Sequence, residues 1–557
     1  MADPTILDRT KKGMMNWCGA CKVPVITETG GGLRHFCPLC GGETKYLCAD
    51  IRPVFPEERL LVEILLEKPL AWLGKSVWAS DNVYYVDGQS IPLPLKKYKD
   101  ASIANARASL AQHQAQNTRH AFDETVSRFV RANAGRLHWL EDEAFKFIQT
   151  TAEPYTREQV VISFSGGKDS TATADLVVRA LGNAGLVHVF GNTTLEFPLT
   201  LDYVRRFRHD NPFAIFKTAT NNEQNFYDVC RDIGPPARML RWCCSMFKTG
   251  PITRVLNSLY PGRDILTFYG IRKCESVSRS RYNRVEKSAD AVKIHKQKVA
   301  SPIFHWLDAD VWLYLLGKGL DFNDAYRLGY DRVGYWCCPN NNLRASFLSQ
   351  IHMPGQSEKW RAFLVDFARG IGKPDAEEYV NSGAWKARQG GNGLKAAQDV
   401  KIRFTNCTTE DFAKIYQLNK PMDDAFMELF TPLGRLAPEL GRKLIHETIV
   451  VDVKTNVPIL SIQPFGKEPG ECAVKIKTLN VANHDALQRM AGYQVKKFNA
   501  CRRCLKCESL CKFGAVSISG GAYHIAETKC KRCKMCVTEK YLEGGCLMQK
   551  YLKTRVK

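Results

Sequence analysis

Apolar runs alternate with helical stretches in the middle of the chain, and this alternation predicts the central fold. Each run is short enough for one strand, and helical segments such as Thr171–Leu181 lie between them. Strands that alternate with helices form a doubly wound parallel sheet, with ligand at the carboxyl ends of the strands. We therefore predict an α/β fold. The strand-like runs are Val160–Phe164, Leu186–Phe190, Phe213–Phe216 and Ile265–Tyr269.

The flanking patterns predict further modules. Short β-rich runs, Ser76–Trp78 and Val83–Val86, precede an apolar stripe at helical spacing that continues to about residue 150. Strand-like runs at Lys401–Phe404 and Thr448–Val453 indicate a small α/β module without a recognisable motif. The predicted domains are a cysteine-containing N-terminal segment (1–50), a small β module with a helical linker (51–150), the α/β domain (151–355), a mixed α/β module of unknown role (356–495) and a cysteine-rich C-terminal domain (496–557).

Composition narrows the class of protein. At 557 residues the chain exceeds the size at which one hydrophobic core stops growing, so several domains are expected. It has no apolar run long enough for a membrane-spanning helix and no apolar signal-peptide region, so we expect a cytoplasmic protein without membrane contact. The net charge of +22 favours a polyanionic partner, although a nucleotide substrate accounts for part of it.

Four N-terminal cysteines have the spacing of a zinc ribbon. Two CxxC units separated by a short loop supply the four thiolates that tetrahedral zinc prefers. A site closed by four thiolates is structural, so this segment is expected to fold around the metal and not to catalyse a reaction. The predicted zinc ligands are Cys18, Cys21, Cys37 and Cys40.

The C-terminal segment has a second cysteine pattern, in which two CxxCxxC runs are each followed by a further cysteine. It resembles a bacterial two-cluster ferredoxin, where the fourth cysteine of each run binds the other [4Fe–4S] cluster. The resemblance implies that Cys511 completes the second cluster. Since the second run has Lys540 at the usual position of its own fourth cysteine, Cys546 is the nearest candidate. The predicted ligands are Cys501, Cys504, Cys507, Cys511, Cys530, Cys533, Cys536 and Cys546.

Six ordered strings between about residues 158 and 354 resemble a known family. Ser165-Gly-Gly-Lys-Asp-Ser170 resembles the PP-loop of the ATP-pyrophosphatase superfamily, which has the adenine nucleotide alpha hydrolase-like fold. The remaining strings are similar to motifs of the phosphoadenosine phosphosulfate (PAPS) reductase family. They are Asn192–Pro198, Arg241–Lys248, Gly270–Arg279, Pro302–Trp312 and Gly329–Pro339.

The resemblance implies roles for individual residues. The loop would hold nucleotide phosphates, with Lys168 as a fixed positive charge, while Arg272 and Arg279 would bind anionic oxygens. Glu275 would orient these arginines or help to bind magnesium. The predicted catalytic residues are Lys168, Asp169, Arg272, Glu275 and Arg279. The predicted nucleotide-binding residues are Ser165, Gly166, Gly167, Lys168, Asp169, Ser170, Glu196 and Arg272.

A third [4Fe–4S] cluster is implied only by the resemblance. The family's cluster uses a double-cysteine motif and a later cysteine pair, which correspond here to Cys243-Cys244 and Cys337-Cys338. The later segment departs from the family pattern because Tyr335 stands where one ligand is expected. Cys337 or Cys274 could supply the missing thiol, and the alternative is that these cysteines are buried or catalytic thiols.

Two reactions remain open at this point. We favour ATP-dependent activation of an acceptor with release of pyrophosphate, coupled to sulfur transfer, with the iron–sulfur clusters as a relay. The acceptor would be tRNA or DNA, and a cysteine desulfurase or another sulfur or electron donor protein would be the partner. The alternative is an adenosine phosphosulfate (APS) or PAPS reductase that uses its own ferredoxin-like domain. Such reductases carry a C-terminal Glu-Cys-Gly, and the nearest string here has Ala473 in place of the glycine. A redox adaptor without catalysis is a third class.

Overall fold

The computed structural model describes residues 13–28, 34–98, 100–277, 279–286, 296–466, 472–538, 542 and 544–554. They divide into two compact units. The first comprises the described residues of 13–218, 263–286 and 296–359, and the second comprises those of 219–262 and 360–554. None of the described helices is long and apolar enough to cross a membrane.

The first unit begins with two small antiparallel sheets. The order of the first sheet is Val23–Glu28, Gly13–Cys18, Glu43–Cys48 and His35–Phe36. The order of the second is Arg52–Pro53, Val77–Ser80, Val83–Val86 and Gln89–Pro92. The helices of this region are Pro56–Leu65, Asp100–His113, His120–Ala132 and Ala134–Ala152.

A six-stranded sheet follows, and it confirms the predicted α/β fold. Strand Val160–Phe164 lies in the middle of the sheet. Its neighbours are Val187–Asn192 on one side and Ile265–Tyr269 on the other, and both are parallel to it. The order is Ile215–Thr220, Val187–Asn192, Val160–Phe164, Ile265–Tyr269, Gln297–Ala300 and Val285–Glu286, the last strand being antiparallel to its neighbour. The associated helices are Lys168–Leu181, Pro198–Asp210, Asp308–Gly317 and Leu343–His352.

The core of the first unit explains why Val160–Phe164 is almost wholly apolar. A central parallel strand is covered on both faces, so it cannot alternate polar and apolar residues, and Val161 and Ile162 are fully buried. Phe147 and Trp312 from neighbouring helices belong to the same core cluster. The sheet is therefore a rigid support for the loops at its edge.

The second unit contains an antiparallel sheet and the C-terminal cysteines. Its sheet order is Phe404–Asn406, Ala413–Gln417, Ala473–Thr478, Pro458–Pro464, Thr448–Val451 and Arg435–Ala437. A hairpin of Val516–Ser519 and Ala522–Ile525 separates the two cysteine runs. The α-helices are Phe226–Ile233, Gly250–Leu259, Ala376–Asn381, Ala396–Asp399, Asp424–Glu428, His484–Ala500, Lys506–Leu510, Met535–Thr538 and Leu547–Leu552, and Pro354–Gly370 spans the boundary between the units.

Candidate functional site

The predicted phosphate loop lies where the central strand meets its helix. Gly166 has a φ of +71°, and a Cβ there would lie 2.9 Å from Cγ2 of Thr200, so only glycine fits without strain. The Ser165 hydroxyl donates to Oγ of Ser170 at 3.0 Å, and Oγ of Ser170 donates to the Gly167 carbonyl at 2.8 Å. These bonds close the turn at the start of helix Lys168–Leu181. This is the switch point of the sheet, where ligands of doubly wound folds bind.

Lys168 is a buried cation at the start of this helix. Its side chain is 3% exposed, and Nζ lies 3.4 Å from Oδ2 of Asp169 and 3.2 Å from Oδ1 of Asp308. Nζ also donates to the Asp331 carbonyl at 3.3 Å. Burial alone would lower the pKa of Lys168, but Asp169 and Asp308 outweigh it and raise that pKa above its ordinary value. The ammonium therefore stays charged at neutral pH.

Arg272 converges on the same two carboxylates from the loop after strand Ile265–Tyr269. Its Nε donates to Asp169, and Nη2 donates to Oδ1 of Asp308 at 2.8 Å. The approach is close: a Cβ on Gly270 would lie 2.6 Å from the backbone of Asp169. Although burial raises the pKa of Asp169, Lys168 and Arg272 outweigh it and lower that pKa to about 2. Two cations and two anions thus form one network beside a helix N-terminus.

A third carboxylate supports this network from the segment after the N-terminal sheet. Asp50 accepts hydrogen bonds from the backbone N–H groups of Asp308 and Ala309, at 2.8 and 3.0 Å, and so caps helix Asp308–Gly317. Burial and the nearby charge of Asp308 raise the pKa of Asp50 to about 6. The N-terminal part of the first unit therefore positions Asp308.

Glu275 holds the signature loop in place. One of its carboxylate oxygens accepts from the backbone N–H of Arg272 at 3.1 Å, and the carboxylate also pairs with Arg279. Arg332 lies 3.7 Å from the same carboxylate. Since its oxygens are engaged by arginines, Glu275 has the geometry of a residue that orients them. Its catalytic role stays a prediction.

Glu196 has its carboxylate turned to its own loop. Thr193 donates to it from the backbone at 3.0 Å and from the hydroxyl at 2.6 Å. Glu196 also forms an isolated β-bridge with Tyr335, which is buried. The position expected to hold a cluster ligand is therefore part of the support for the Asn192–Pro198 loop.

The four N-terminal cysteines form a compact sulfur cluster at the end of the first sheet. The Sγ atoms of Cys18 and Cys40 lie 3.5 Å apart, those of Cys37 and Cys21 lie 3.8 Å apart, and all four lie within 4.8 Å of one another. Four sulfurs at 2.3 Å from a tetrahedral zinc ion are about 3.8 Å apart. The residues therefore fit one metal ion of this size.

The eight C-terminal cysteines fall into two groups of four. Besides burial, the charges of Cys546, Cys507 and Cys501 raise the pKa of Cys504, which puts these four thiols together. The other four line one cavity in the second unit, and Cys511 comes from the first run. The crossed arrangement places Cys511 with Cys530, Cys533 and Cys536, and Cys546 with Cys501, Cys504 and Cys507.

The two cysteine runs also share a backbone geometry that suits cluster binding. Arg503 and Leu505 on either side of Cys504 have φ values of +52° and +61°, and Arg532 and Lys534 on either side of Cys533 have the same values. Backbone N–H groups point at sulfur, as from Arg503 to Cys501 at 3.4 Å. Of the described residues, only the N-terminal cysteines are close enough to share one ion.

The cysteines of the third implied cluster belong to different units. Cys243 is buried and Cys244 begins a π-helical turn, Cys244–Thr249, in the second unit. Cys337 and Cys338 belong to the first unit. Arg241 and a hydrogen bond from Cys243 lower the pKa of Cys244 to about 5, the bond from Cys243 being the larger cause. A four-cysteine cluster made from these residues stays a prediction.

Comparison with known proteins agrees with the geometry of the first unit. Residues 159–341 match the phosphoadenosine phosphosulfate reductase domain. This part of the chain is therefore similar to a PAPS reductase domain. An uncharacterized protein of Methanocaldococcus jannaschii is 34% identical over 266 residues, which are 47% of this chain and 53% of that protein. The aligned region thus spans about half the length of that relative.

Two further relatives have assigned names. The adenosine 5'-phosphosulfate reductase of Staphylococcus epidermidis is 25% identical over 201 residues, which cover 35% of this chain and 75% of that protein. The PAPS reductase of Candida auris, a solved structure, is 16% identical with a TM-score of 0.28, and the match covers 35% of this chain and 89% of that one.

Sequence reasoning missed several residues of the nucleotide site. Asp308 and Asp50 were not predicted, nor was Tyr326, whose hydroxyl accepts from the backbone N–H of Lys168 at 3.0 Å. The sequence contains a signal for Asp308, because this residue begins the acidic first turn of a helix within the Pro302–Trp312 motif. Asp50 had none, because its role depends on contact with a helix far along the chain.

Proposed function

We propose that this protein uses ATP to activate an acceptor, with release of pyrophosphate, and couples that step to sulfur transfer, with iron–sulfur clusters as a relay. The arrangement of Lys168 and Arg272 carries the proposal. Both cations are buried beside a helix N-terminus at the switch point of the sheet, where phosphate oxygens would bind. Asp169 and Asp308 hold them apart and oriented in the absence of ligand.

The phosphate groups would replace part of this internal network. Arg272 would offer a planar guanidinium to two oxygens, while Lys168 would act as a point charge that stabilises negative charge developing on a leaving pyrophosphate. Asp169 and Asp308 would then be available as oxygen ligands for magnesium, which binds nucleotides through one or two carboxylates. Ser165–Ser170 would hold the phosphates, and Arg279, oriented by Glu275, would bind a further anionic oxygen.

Cys274 is a thiol at the edge of this site. Its Sγ accepts from Nη1 of Arg272 at 3.3 Å, so it lies next to a residue assigned here to phosphate binding. A sulfur carrier or nucleophile must reach the activated group, and this position meets that requirement. Cys274→Ser would remove sulfur transfer while nucleotide binding remains.

The metal sites complete the proposal. Cys18, Cys21, Cys37 and Cys40 would hold a structural zinc ion, whose role is to fix the fold of the N-terminal sheet. The two C-terminal groups of four thiols would each hold a [4Fe–4S] cluster, which supplies one-electron chemistry when bound. Buried Lys497 donates to the Cys536 carbonyl and places a positive charge beside the thiolates of both groups.

The second candidate function is reduction of APS or PAPS. The names of the relatives favour it, as in S. epidermidis. The site suits it as well, because a sulfonucleotide presents the same kind of anionic oxygens to Lys168 and Arg272. In this case the clusters would replace an external reductant. The acceptor nucleic acid and a desulfurase partner belong only to the first candidate.

One experiment separates the two reactions. Anaerobically purified, cluster-loaded protein is incubated with ATP and magnesium, with and without tRNA or DNA, and in parallel with APS or PAPS and a reductant. Pyrophosphate from ATP, increased by nucleic acid, supports activation and sulfur transfer. Sulfite from APS or PAPS identifies a sulfonucleotide reductase. If protein that binds nucleotide forms neither product, a redox adaptor without catalysis becomes the better description.

A further inference from the structure

The two groups of C-terminal cysteines differ in their exposure to solvent. In the first group, Cys504, Cys507 and Cys546 are buried and Cys501 is partly exposed. In the second group, only Cys536 is buried, while Cys511 and Cys530 are partly exposed and Cys533 is exposed. Electrons that arrive from another protein would therefore reach the second group first.

The first group faces inward, toward the double-cysteine segment of the same unit. Helix Gly250–Leu259 packs on it closely enough that a Cβ on Gly250 would lie 2.7 Å from Leu505, the residue after Cys504. Arg254 on this helix forms a bidentate pair with Glu508, at 2.7 and 2.9 Å. Burial raises the pKa of Tyr551, and so do the charges of Cys504, Cys244 and Cys243. This side chain therefore lies near both cysteine segments. The second group therefore lies nearer the surface of the unit, and the first group lies nearer its interior.

The surface around the second group is strongly basic. Between residues 511 and 538 the chain has one acidic residue, Glu527, which is engaged by Arg532 at 2.6 Å. The lysines there form no ion pair among the described residues. These lysines, which with Phe513 we name the basic rim, are Lys512, Lys529, Lys531 and Lys534.

One exposed aromatic side chain belongs to the basic rim. Phe513 is 43% exposed and lines the same cavity as Cys511, Cys530 and Cys533, together with Lys531 and Lys534. An exposed aromatic side chain beside lysines suits a small transient interface with a partner of opposite charge. Such an interface gains its association rate from opposite charge on the partner.

We propose that the basic rim is the docking surface for an acidic one-electron carrier protein. The carrier is oxidised by one electron for each cluster reduced, and the electron passes from the exposed second group to the buried first group. This inference rests on the proposed iron–sulfur sites. It adds to the proposed function the entry point of the electrons and the charge of their donor.

The test measures electron transfer by stopped flow in the full-length, cluster-loaded protein. Reduced flavodoxin, a small acidic flavoprotein, is the probe, and reduced methyl viologen, a small cation, reports whether the clusters are intact. In the double variant Lys512→Glu and Lys531→Glu, flavodoxin at low ionic strength should reduce the clusters about tenfold more slowly. Added salt should shrink this difference, and reduction by methyl viologen should not slow.

The control carries the same change of net charge elsewhere. Lys443→Glu with Lys454→Glu alters two exposed lysines next to the antiparallel sheet of the same unit, and flavodoxin should react with it within twofold of the unaltered protein. Equal rates in the two double variants would overturn the inference. The inference would also be overturned if an oligonucleotide competed with flavodoxin for the unaltered protein but not for the basic rim variant. The rim would then bind nucleic acid. Protein that assembles no cluster would refute the iron–sulfur proposal itself.

Discussion

Lys168 occupies a position that only a bound anion or a carboxylate can make favourable. A buried ammonium without partners would lose its proton, and here Asp169, Asp308 and the Asp331 carbonyl hold it charged. Arg272 shares the two carboxylates. The internal ion pairs thus keep both cations ready for phosphate oxygens.

Removing either cation should weaken nucleotide binding. We expect Lys168→Met and Arg272→Ala each to raise the dissociation constant for ATP or APS by about 10- to 100-fold, the value of one charged hydrogen bond or two. Methionine retains the apolar stem of Lys168 and so limits the loss of packing. Isothermal titration calorimetry measures the effect.

Lys217→Ala is the matched control for these variants, because Lys217 is an exposed lysine of the same unit. It should bind the nucleotide like the unaltered protein. If Lys168→Met and Arg272→Ala bind as tightly as this control while remaining folded, the assignment of the nucleotide site is wrong.

The N-terminal sheet is an element that brings four thiols together at one end. Its strands are short, and two of its cysteines, Cys18 and Cys37, are 1% exposed. Since zinc ligation supplies folding free energy in such small modules, loss of the metal should unfold the sheet. Asp50, which caps helix Asp308–Gly317, directly follows this sheet, so the effect should extend to the nucleotide site.

We expect Cys37→Ser to lower the bound zinc to well under one ion per chain and to weaken nucleotide binding. Metal analysis by mass spectrometry and calorimetry measure the two effects. Cys48→Ser is the control, since Cys48 is a buried residue of the same sheet but lies outside the sulfur cluster. Normal zinc content in Cys37→Ser would contradict the ribbon assignment.

Elements with a strong local signal could be predicted from the sequence. Strand Ile265–Tyr269 was predicted with its correct bounds, and the glycine turn after Val160–Phe164 was placed correctly, because apolar runs and glycines act through neighbouring residues. The antiparallel strands Ala413–Gln417 and Pro458–Pro464 were not predicted. Their side chains depend on cross-strand partners, which periodicity along one strand does not reveal.

At the scale of the whole molecule, the two compact units are made of segments that are not consecutive along the chain. Residues 219–262, which the sequence assigned to the α/β domain together with the nucleotide motifs, group with the C-terminal cysteine segment. One of the contacts between them joins residues about 250 positions apart, Arg254 and Glu508. Such long-range pairing leaves no pattern in a single sequence.

The pair of Arg254 and Glu508 therefore offers a test of this division. Glu508 lies on helix Lys506–Leu510, directly after Cys507, so its ion pair fixes the first cysteine group against helix Gly250–Leu259. Arg254→Glu should loosen that contact and speed the loss of iron to a chelator roughly fivefold, which corresponds to ~1 kcal/mol for a partly exposed pair. Absorbance of the chelated iron measures the rate.

Reversal of both charges provides the decisive comparison. In the variant Arg254→Glu with Glu508→Arg the ion pair can form again, so iron loss should return most of the way to the original rate, and Glu508→Arg alone should resemble Arg254→Glu. Additive effects of the two single changes would show that the residues do not interact. The ion pair would then not contribute to holding the first cysteine group, and the contact would rest on the packing of Gly250 against Leu505.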